Sequence, residues 1–191
     1  MPRAVQLWFD YASPFAYLAA TQAEAMAARA EARLVWRPIL LGGLFRDIGQ
    51  VDVPLHAMSE ARRRYTLTEL QRWADWWAVP VTFPTPFPTR TVLALRVTLG
   101  RADPGPLVRR IFHAAWGEGR DVGDPAVLTD CGVTADELRR ASEQRDTLRA
   151  NNTEAMANGV FGVPTFQLDD GTLFWGQDRM DAVERALAGR R

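Results

Sequence analysis

The chain of 191 residues contains one cysteine, two histidines and no long apolar run. A single cysteine, Cys131, excludes both an internal disulfide and a C-x-x-C redox pair. Together with His56 and His113 it supplies too few ligands for a structural zinc site, so we expect no metal centre. No apolar stretch approaches the roughly 20 residues that a membrane-spanning helix needs, so we expect no membrane association.

The formal net charge is zero, because Lys plus Arg and Asp plus Glu number 23 each. This balance argues against nucleic acid as a partner. The N-terminal residues lead into an apolar strand within a few positions, which leaves no room for a signal peptide, and we expect a cytoplasmic protein. Apolar residues are abundant at 47%, with seven tryptophans, which is enough for one domain or for one domain with a large insertion.

Strands are predicted in the N-terminal and C-terminal parts of the chain. The N-terminal part predicts a strand at residues 4–10, a helix from 14 to about 30 and a strand at 34–41, which is most simply a βαβ unit with parallel strands. The C-terminal part predicts two strands joined by a hairpin turn at 169–171, followed by a last helix that Asp178 caps.

Between these parts, residues 44–158 show helical signals and no convincing strand. Without this block the remainder has a thioredoxin-like plan, which is a small mixed sheet with helices on both faces. We therefore predict an α/β fold in which residues 1–43 and 159–191 form a discontinuous thioredoxin-like domain. Residues 44–158 form a helical insertion domain, whose last helix packs back on the thioredoxin-like part.

The dipeptide Ser13-Pro14 is a helix-start signal, because serine caps free backbone amides and proline suits the first helical position. The Ser13 hydroxyl is therefore predicted at a helix N-terminus, where the dipole and the unpaired N–H groups favour negative charge. Taken alone, Ser13 has three interpretations: a plain cap, an anion site or an acyl nucleophile. The last needs a histidine base, and neither His56 nor His113 lies in a recognisable triad context.

Six motifs follow one another along nearly the whole chain. They are Phe9-Asp10-Tyr11-x-Ser13-Pro14-Phe15-x-Tyr17, Arg37-Pro38-x-Leu40-Leu41-Gly42-Gly43, Phe83-Pro84, Trp116-x-Glu118-Gly119-Arg120-Asp121, Gly159-Val160-Phe161-Gly162-Val163-Pro164-Thr165-Phe166 and Phe174-Trp175-Gly176-Gln177-Asp178-Arg179. In this order they resemble the 2-hydroxychromene-2-carboxylate isomerases and their relatives, the kappa-class glutathione transferases. The resemblance implies a DsbA-like thioredoxin fold with a large all-helical insertion.

The resemblance also implies a glutathione site around Ser13. This serine stands where redox relatives carry the first cysteine of C-x-x-C, so the thiolate would come from bound glutathione, with the Ser13 hydroxyl donating a hydrogen bond to its sulfur. Val163, before a cis Pro164, would pair with the cysteinyl unit through its backbone, as a neighbouring strand does. Asp178 would receive the γ-glutamyl ammonium, and Gln177 would offer donors to the adjacent carboxylate.

The loop at 49–54 departs from the family pattern. Relatives show Gly-Asn-x-Pro-Pro there, whereas this chain has Gln50, Asp52 and Pro54. Gln50 and Pro54 are the expected glutathione contacts, and which side chain replaces the usual asparagine stays open. Arg62 falls where relatives have a lysine that faces the glycine carboxylate of glutathione, although an arginine triplet on a helix is also typical of a solvated surface.

For a second substrate, a small aromatic carboxylate, the resemblance implies an apolar pocket with one or two cationic or hydrogen-bonding groups. The candidates by residue type and position are Tyr11, Phe15, Arg37, Phe87, Trp116 and Asn151. The implied activity is the glutathione-dependent interconversion of 2-hydroxychromene-2-carboxylate and trans-o-hydroxybenzylidenepyruvate by a homodimer, a step in aromatic hydrocarbon breakdown. A kappa-type glutathione transferase or thiol-dependent oxidoreductase, and a non-catalytic DsbA-like binding protein, are the alternatives.

Overall fold

Four short strands form one mixed sheet in the computed structural model, which describes residues 3–51 and 54–189. Their spatial order is β2-β1-β3-β4, built from β1 (Ala4–Phe9), β2 (Arg33–Pro38), β3 (Thr165–Leu168) and β4 (Leu173–Trp175). Strands β1 and β2 run parallel, whereas β3 is antiparallel to both β1 and β4. The predicted parallel βαβ unit and the C-terminal hairpin are therefore confirmed.

The other described residues are mainly helical. The α-helices are α1 (Pro14–Arg29), α2 (Leu41–Asp47), α3 (Pro54–Ala57), α4 (Glu60–Trp76), α5 (Val92–Leu99), α6 (Gly105–Phe112), α7 (Pro125–Asp130), α8 (Ala135–Arg140), α9 (Arg145–Ala157) and α10 (Met180–Leu187). A π-helical turn at His113–Gly117 continues α6, and 3-10 turns precede α9 and α10. Within the described part of 44–158 there is no strand, as predicted.

The second strand ends before the predicted residue 41. Strand β2 ends at Pro38 and α2 begins at Leu41, so Gly43 lies inside a helix instead of following a strand. The Asn152 side chain holds this helix start, because it accepts a hydrogen bond from the Leu40 N–H and donates one to the Leu40 carbonyl, each at 2.8 Å. Glycine suits position 43, since a Cβ there would lie 3.2 Å from Asn152 Nδ2.

Two groups of buried side chains form the core. One consists of apolar residues of β1, α1, β3 and α10, such as Leu7, Ala23 and Val183. The other joins β1 and the start of α1 to the helical block and includes Phe9 and Ile111. Because the second group contains residues of both predicted units, the helical block shares the core of the sheet. Among the described residues, no helix is long and apolar enough to cross a membrane.

Candidate active site

The serine that precedes α1 caps this helix. Ser13 has an extended backbone, and its side-chain oxygen accepts a hydrogen bond from the Ala16 N–H at 3.1 Å. Its carbonyl accepts from the Tyr17 N–H at 3.0 Å, whereas the Phe15 N–H has no acceptor among the described residues. The unused N–H and the dipole of a 16-residue helix make the space beside Ser13 favourable for an anion. The predicted cap is confirmed, and it does not use the Phe15 N–H.

The loop before β3 lies against this helix start. The Val163–Pro164 peptide is cis, as the resemblance implied. The Ser13 hydroxyl lies 3.5 Å from the Val163 carbonyl oxygen, at the long limit of a hydrogen bond. The Pro164 carbonyl accepts from the Gly176 N–H at 2.9 Å, which ties the loop to the turn that follows β4. The structure thus brings Ser13, Val163 and Pro164 together from opposite ends of the chain.

The turn after β4 carries the predicted γ-glutamyl contacts. It is a 3-10 turn at Gln177–Arg179, and Arg179 is the residue that precedes α10, with no side-chain cap. The prediction that Asp178 caps the last helix is therefore wrong, because the 3-10 turn moves the helix start beyond it. The exposed Asp178 carboxylate lies beside the α-carbon of Gly176 and 3.7 Å from the Arg179 guanidinium. Since Gly176 is bonded to the cis-proline loop, Asp178 is held close to that loop, while Gln177 is buried.

Three further predicted glutathione contacts lie on the helical block. Gln50 follows α2 and is exposed, Pro54 is the first residue of α3, and Arg62 is exposed in the first turn of α4. Arg62 makes no ion pair within residues 3–51 and 54–189. Asp52 and Val53, which complete the predicted loop, lie outside the described residues. The role of these residues in holding glutathione stays a prediction.

Two of the six predicted pocket residues, Tyr11 and Trp116, belong to the core, with 1% of each exposed. The Tyr11 ring packs edge-on against Phe112 with centroids 4.7 Å apart, and its hydroxyl shares a 2.7 Å hydrogen bond with the Thr98 hydroxyl. Burial raises the pKa of the Tyr11 hydroxyl. The Trp116 Nε1–H donates to the Tyr11 carbonyl at 2.7 Å. Both rings fill the interior between α1 and the helical block, and their place in a substrate pocket stays a prediction.

Arg37 and Asn151 have partners within the protein. The Arg37 guanidinium lies over the Trp8 ring, 4.6 Å from its centroid, and forms an ion pair with Glu154. The Asn151 Nδ2 donates to the Pro38 carbonyl at 2.9 Å, so this side chain braces the end of β2. The contacts that the structure shows for these two residues are therefore structural.

Among the aromatic residues of the predicted pocket, Phe15 and Phe87 stay partly exposed. Phe15 is the second residue of α1, directly after the proline that follows the Ser13 cap. The Phe87 ring packs edge-on against Trp116, with centroids 6.1 Å apart, and the His56 ring of α3 lies 6.3 Å from it. Phe87 therefore connects α3 to Trp116, whose side chain is hydrogen-bonded to the loop before Ser13.

The buried carboxyl group of Asp10 was missed from the sequence. It accepts hydrogen bonds from the Leu41 N–H at 2.7 Å and the Ala12 N–H at 3.1 Å, and it is also bonded to the Thr91 side chain. Burial raises the pKa of Asp10 above its ordinary value of 3.8. Its hydrogen bonds join the loop before Ser13 to α2 and α5. The available signal was an ionisable residue at the end of an apolar strand, directly before a helix start.

The Cys131 thiol is not suited to act as a nucleophile. Cys131 is buried, and burial raises the pKa of its thiol, so little thiolate forms at neutral pH. Within the described ranges, no group of three or more His, Cys, Asp or Glu side chains is arranged to hold a metal ion. A thiolate beside Ser13 would therefore have to come from another molecule.

Comparisons with known proteins agree with this geometry. The family model of the DSBA-like thioredoxin domain matches residues 4–188. The chain is 30% identical to a 2-hydroxychromene-2-carboxylate isomerase of Sphingobium xenophagum, over 98% of this chain and 99% of that protein. It is 26% identical to glutathione S-transferase kappa 2 of Caenorhabditis elegans, over 97% and 92% of the two chains. A solved 2-hydroxychromene-2-carboxylate isomerase superposes with a TM-score of 0.85 at 25% identity, over 97% of this chain and 95% of the other. The chain therefore belongs to the DsbA-like thioredoxin domain family and, within it, to the family of the 2-hydroxychromene-2-carboxylate isomerases.

Proposed function

We propose that this protein is a glutathione-dependent isomerase that interconverts 2-hydroxychromene-2-carboxylate and trans-o-hydroxybenzylidenepyruvate. The observation that carries the proposal is the Ser13 hydroxyl at the start of α1, which lies 3.5 Å from the Val163 carbonyl oxygen in a first helical turn whose Phe15 N–H has no acceptor among the described residues. These groups suit an anionic sulfur with a short peptide backbone beside it. The names of the isomerase relatives support the choice of reaction.

The start of α1 is suited to hold a thiolate. Glutathione, when bound, supplies a thiolate that adds reversibly to a conjugated double bond and so permits rotation about it. Ser13 donates its hydroxyl hydrogen to the sulfur, and the Phe15 N–H and the helix dipole stabilise its negative charge. A hydrogen bond to a charged group contributes about 1.5–3 kcal/mol, which corresponds to about one to two units in the pKa of the thiol. The helix start thereby keeps the thiolate populated at neutral pH.

Other residues of the site hold the rest of the tripeptide. Val163 offers its backbone N–H and carbonyl to the cysteinyl unit, as an added strand does. Asp178 accepts hydrogen bonds from the γ-glutamyl ammonium, and Gln177 donates to the carboxylate beside it. Arg62 attracts the glycine carboxylate of the tripeptide.

The aromatic carboxylate needs an apolar surface near the sulfur. Phe15 and Phe87 are the predicted pocket residues with exposed ring surface, and we assign to them the contact with the aromatic ring of the substrate. Phe15 lies two positions after Ser13, so its side chain and its backbone N–H serve the same part of the site.

A homodimer is part of the proposal, because α4 exposes large apolar side chains. Trp76 is 82% exposed, and Tyr65 and Leu67 of the same helix are exposed as well. Exposed aromatic side chains are enriched at protein interfaces. Sedimentation equilibrium should give twice the mass of the chain, with Trp76→Arg shifting the equilibrium towards the monomer. A wild-type monomer at all concentrations would contradict the dimer.

A kappa-type glutathione transferase is the second candidate function, and the relative in Caenorhabditis elegans favours it. Such an enzyme would hold the same thiolate with the same residues. It would differ in the electrophile that the thiolate attacks, so the two functions are separated by their substrates.

The test measures isomerisation of 2-hydroxychromene-2-carboxylate with and without glutathione, together with conjugation of glutathione to chlorodinitrobenzene. We expect fast isomerisation that requires glutathione. Ser13→Ala should lower kcat/KM by about 10- to 100-fold, which is the loss of one hydrogen bond to a charged group. Thr21→Val is the control, since it removes a hydroxyl that is bonded to the Leu18 carbonyl within the same helix. Isomerisation without glutathione would contradict the cofactor, and conjugation without isomerisation would favour the transferase.

A further inference from the structure

A π-helical turn follows α6 and carries Trp116. In this turn the Glu118 N–H bonds to the His113 carbonyl, five residues back, at 2.9 Å. Single π-helical turns within helices occur frequently at functional sites. Here the turn places the indole of Trp116 in the interior, with its N–H directed at the loop that precedes α1.

The Trp116 side chain donates its hydrogen bond to the backbone carbonyl of Tyr11. Tyr11 precedes Phe15 by four residues, so its carbonyl is the acceptor that the Phe15 N–H would have if α1 extended further towards the N-terminus. Instead, the extended backbone of Ser13 ends the helix, and the Tyr11 carbonyl accepts from Trp116 Nε1 at 2.7 Å. The Phe15 N–H consequently has no acceptor within the described part of the chain.

We propose that Trp116 is a positioning residue that keeps the Phe15 N–H available as a second donor, beside the Ser13 hydroxyl, to the anionic sulfur at the start of α1. The inference rests on the proposed function, because it assigns a further residue to the same site. Trp116 is itself well fixed: its carbonyl accepts from the Thr82 N–H at 2.6 Å, and its ring packs against Phe83 with centroids 5.3 Å apart. The loop is therefore held in place by the helical block.

The experiment uses a thiol at position 13 as the probe, so that it does not depend on glutathione binding. In a protein with Ser13→Cys and Cys131→Ala, the ultraviolet absorbance of the thiolate gives the pKa of the new thiol, which we expect below the usual ~8.5. Adding Trp116→Phe keeps an aromatic ring but removes the N–H, and it should raise that pKa by about one unit. Thr98→Val is the matched control, because it removes an equally short, buried hydrogen bond to the Tyr11 side chain and leaves the Tyr11 carbonyl bonded. It should leave the pKa of the thiol unchanged.

Two results of this titration would overturn the role of Trp116: a thiol pKa that Trp116→Phe does not change, or an equal rise with Thr98→Val. If Trp116→Phe does not fold, Trp116→Tyr, which also lacks the indole N–H, is titrated in its place and judged by the same two results. A wild-type protein that binds no glutathione would contradict the proposed function alone, because the titration uses only the introduced thiol.

Discussion

Ser13 has two roles that substitutions can separate, and the first is to cap α1. Ser13→Ala removes the acceptor of the Ala16 N–H, which costs about 1 kcal/mol, whereas glycine at a cap position costs only a few tenths of that. In a protein of this length, 1 kcal/mol lowers Tm by about 2–4 °C. Ser13→Ala should therefore melt about 2–4 °C below the wild type, and Ser13→Gly within about 1 °C of it.

The second role is to donate a hydrogen bond to the thiolate, and it should respond differently. Ser13→Ala and Ser13→Gly both lack the hydroxyl, so both should lose about 10- to 100-fold in kcat/KM for glutathione-dependent isomerisation. Ser13→Asp keeps a good cap, but its carboxylate would repel the thiolate. Its activity should therefore fall below that of Ser13→Ala although its melting temperature stays close to that of the wild type.

Thermal melting and steady-state isomerisation are measured for the wild type and the three Ser13 variants, which gives stability and activity for each. The expected pattern is a loss of activity that does not follow the loss of stability. If Ser13→Gly kept the wild-type rate, or if activity simply followed Tm across the series, the hydroxyl would be a cap and nothing more.

Three further predictions concern carboxylates. The hydrogen bond from Arg101 holds the pKa of Glu137 at about 2, so the stabilisation from this group is full above pH 4.5 and is lost as the pH falls towards 2. In urea unfolding, Glu137→Gln should cost about 1 kcal/mol near neutral pH, and the difference should disappear in strong acid. Burial raises the pKa of Asp10, so its contribution is full below pH 3.8 and is lost as the pH rises through the raised value. The difference in free energy of unfolding between the wild type and Asp10→Asn should therefore change in favour of the variant as the pH rises, and a constant difference would contradict this sign. By calorimetry, Asp178→Asn should weaken glutathione binding up to about 5-fold, since an exposed ion pair contributes up to about 1 kcal/mol, while Asp181→Asn in α10 should leave it unchanged.

Local signals explain what could be predicted from the sequence. The hairpin turn at 169–171 contains Gly171, whose φ of +85° favours glycine, and the Ser13 cap contacts an amide three residues away. Such contacts depend on neighbouring residues, so a short stretch of sequence is enough to indicate them. The cap assigned to Asp178 was predicted wrongly, because an additional 3-10 turn moves the start of α10 beyond this residue.

Long-range contacts explain what could not be predicted. Trp116 lies 105 positions after Tyr11, and Leu41 lies 31 positions after Asp10, yet both pairs are hydrogen-bonded. Aromatic residues suit a core as well as a pocket, and their spacing along the chain does not distinguish the two. The fold and the helix start of the site were therefore accessible from the sequence, whereas the residues that brace that start required the structure.

Ultraviolet titration of glutathione bound to the wild-type protein tests most directly whether the start of α1 holds a thiolate. The thiol of bound glutathione should ionise at a pH at least about one unit below that of free glutathione, and Ser13→Ala should move the ionisation back towards the free value. If bound glutathione ionises as free glutathione does, or if no binding occurs at millimolar glutathione, then Ser13 and α1 do not hold a thiolate and the proposed isomerase is contradicted.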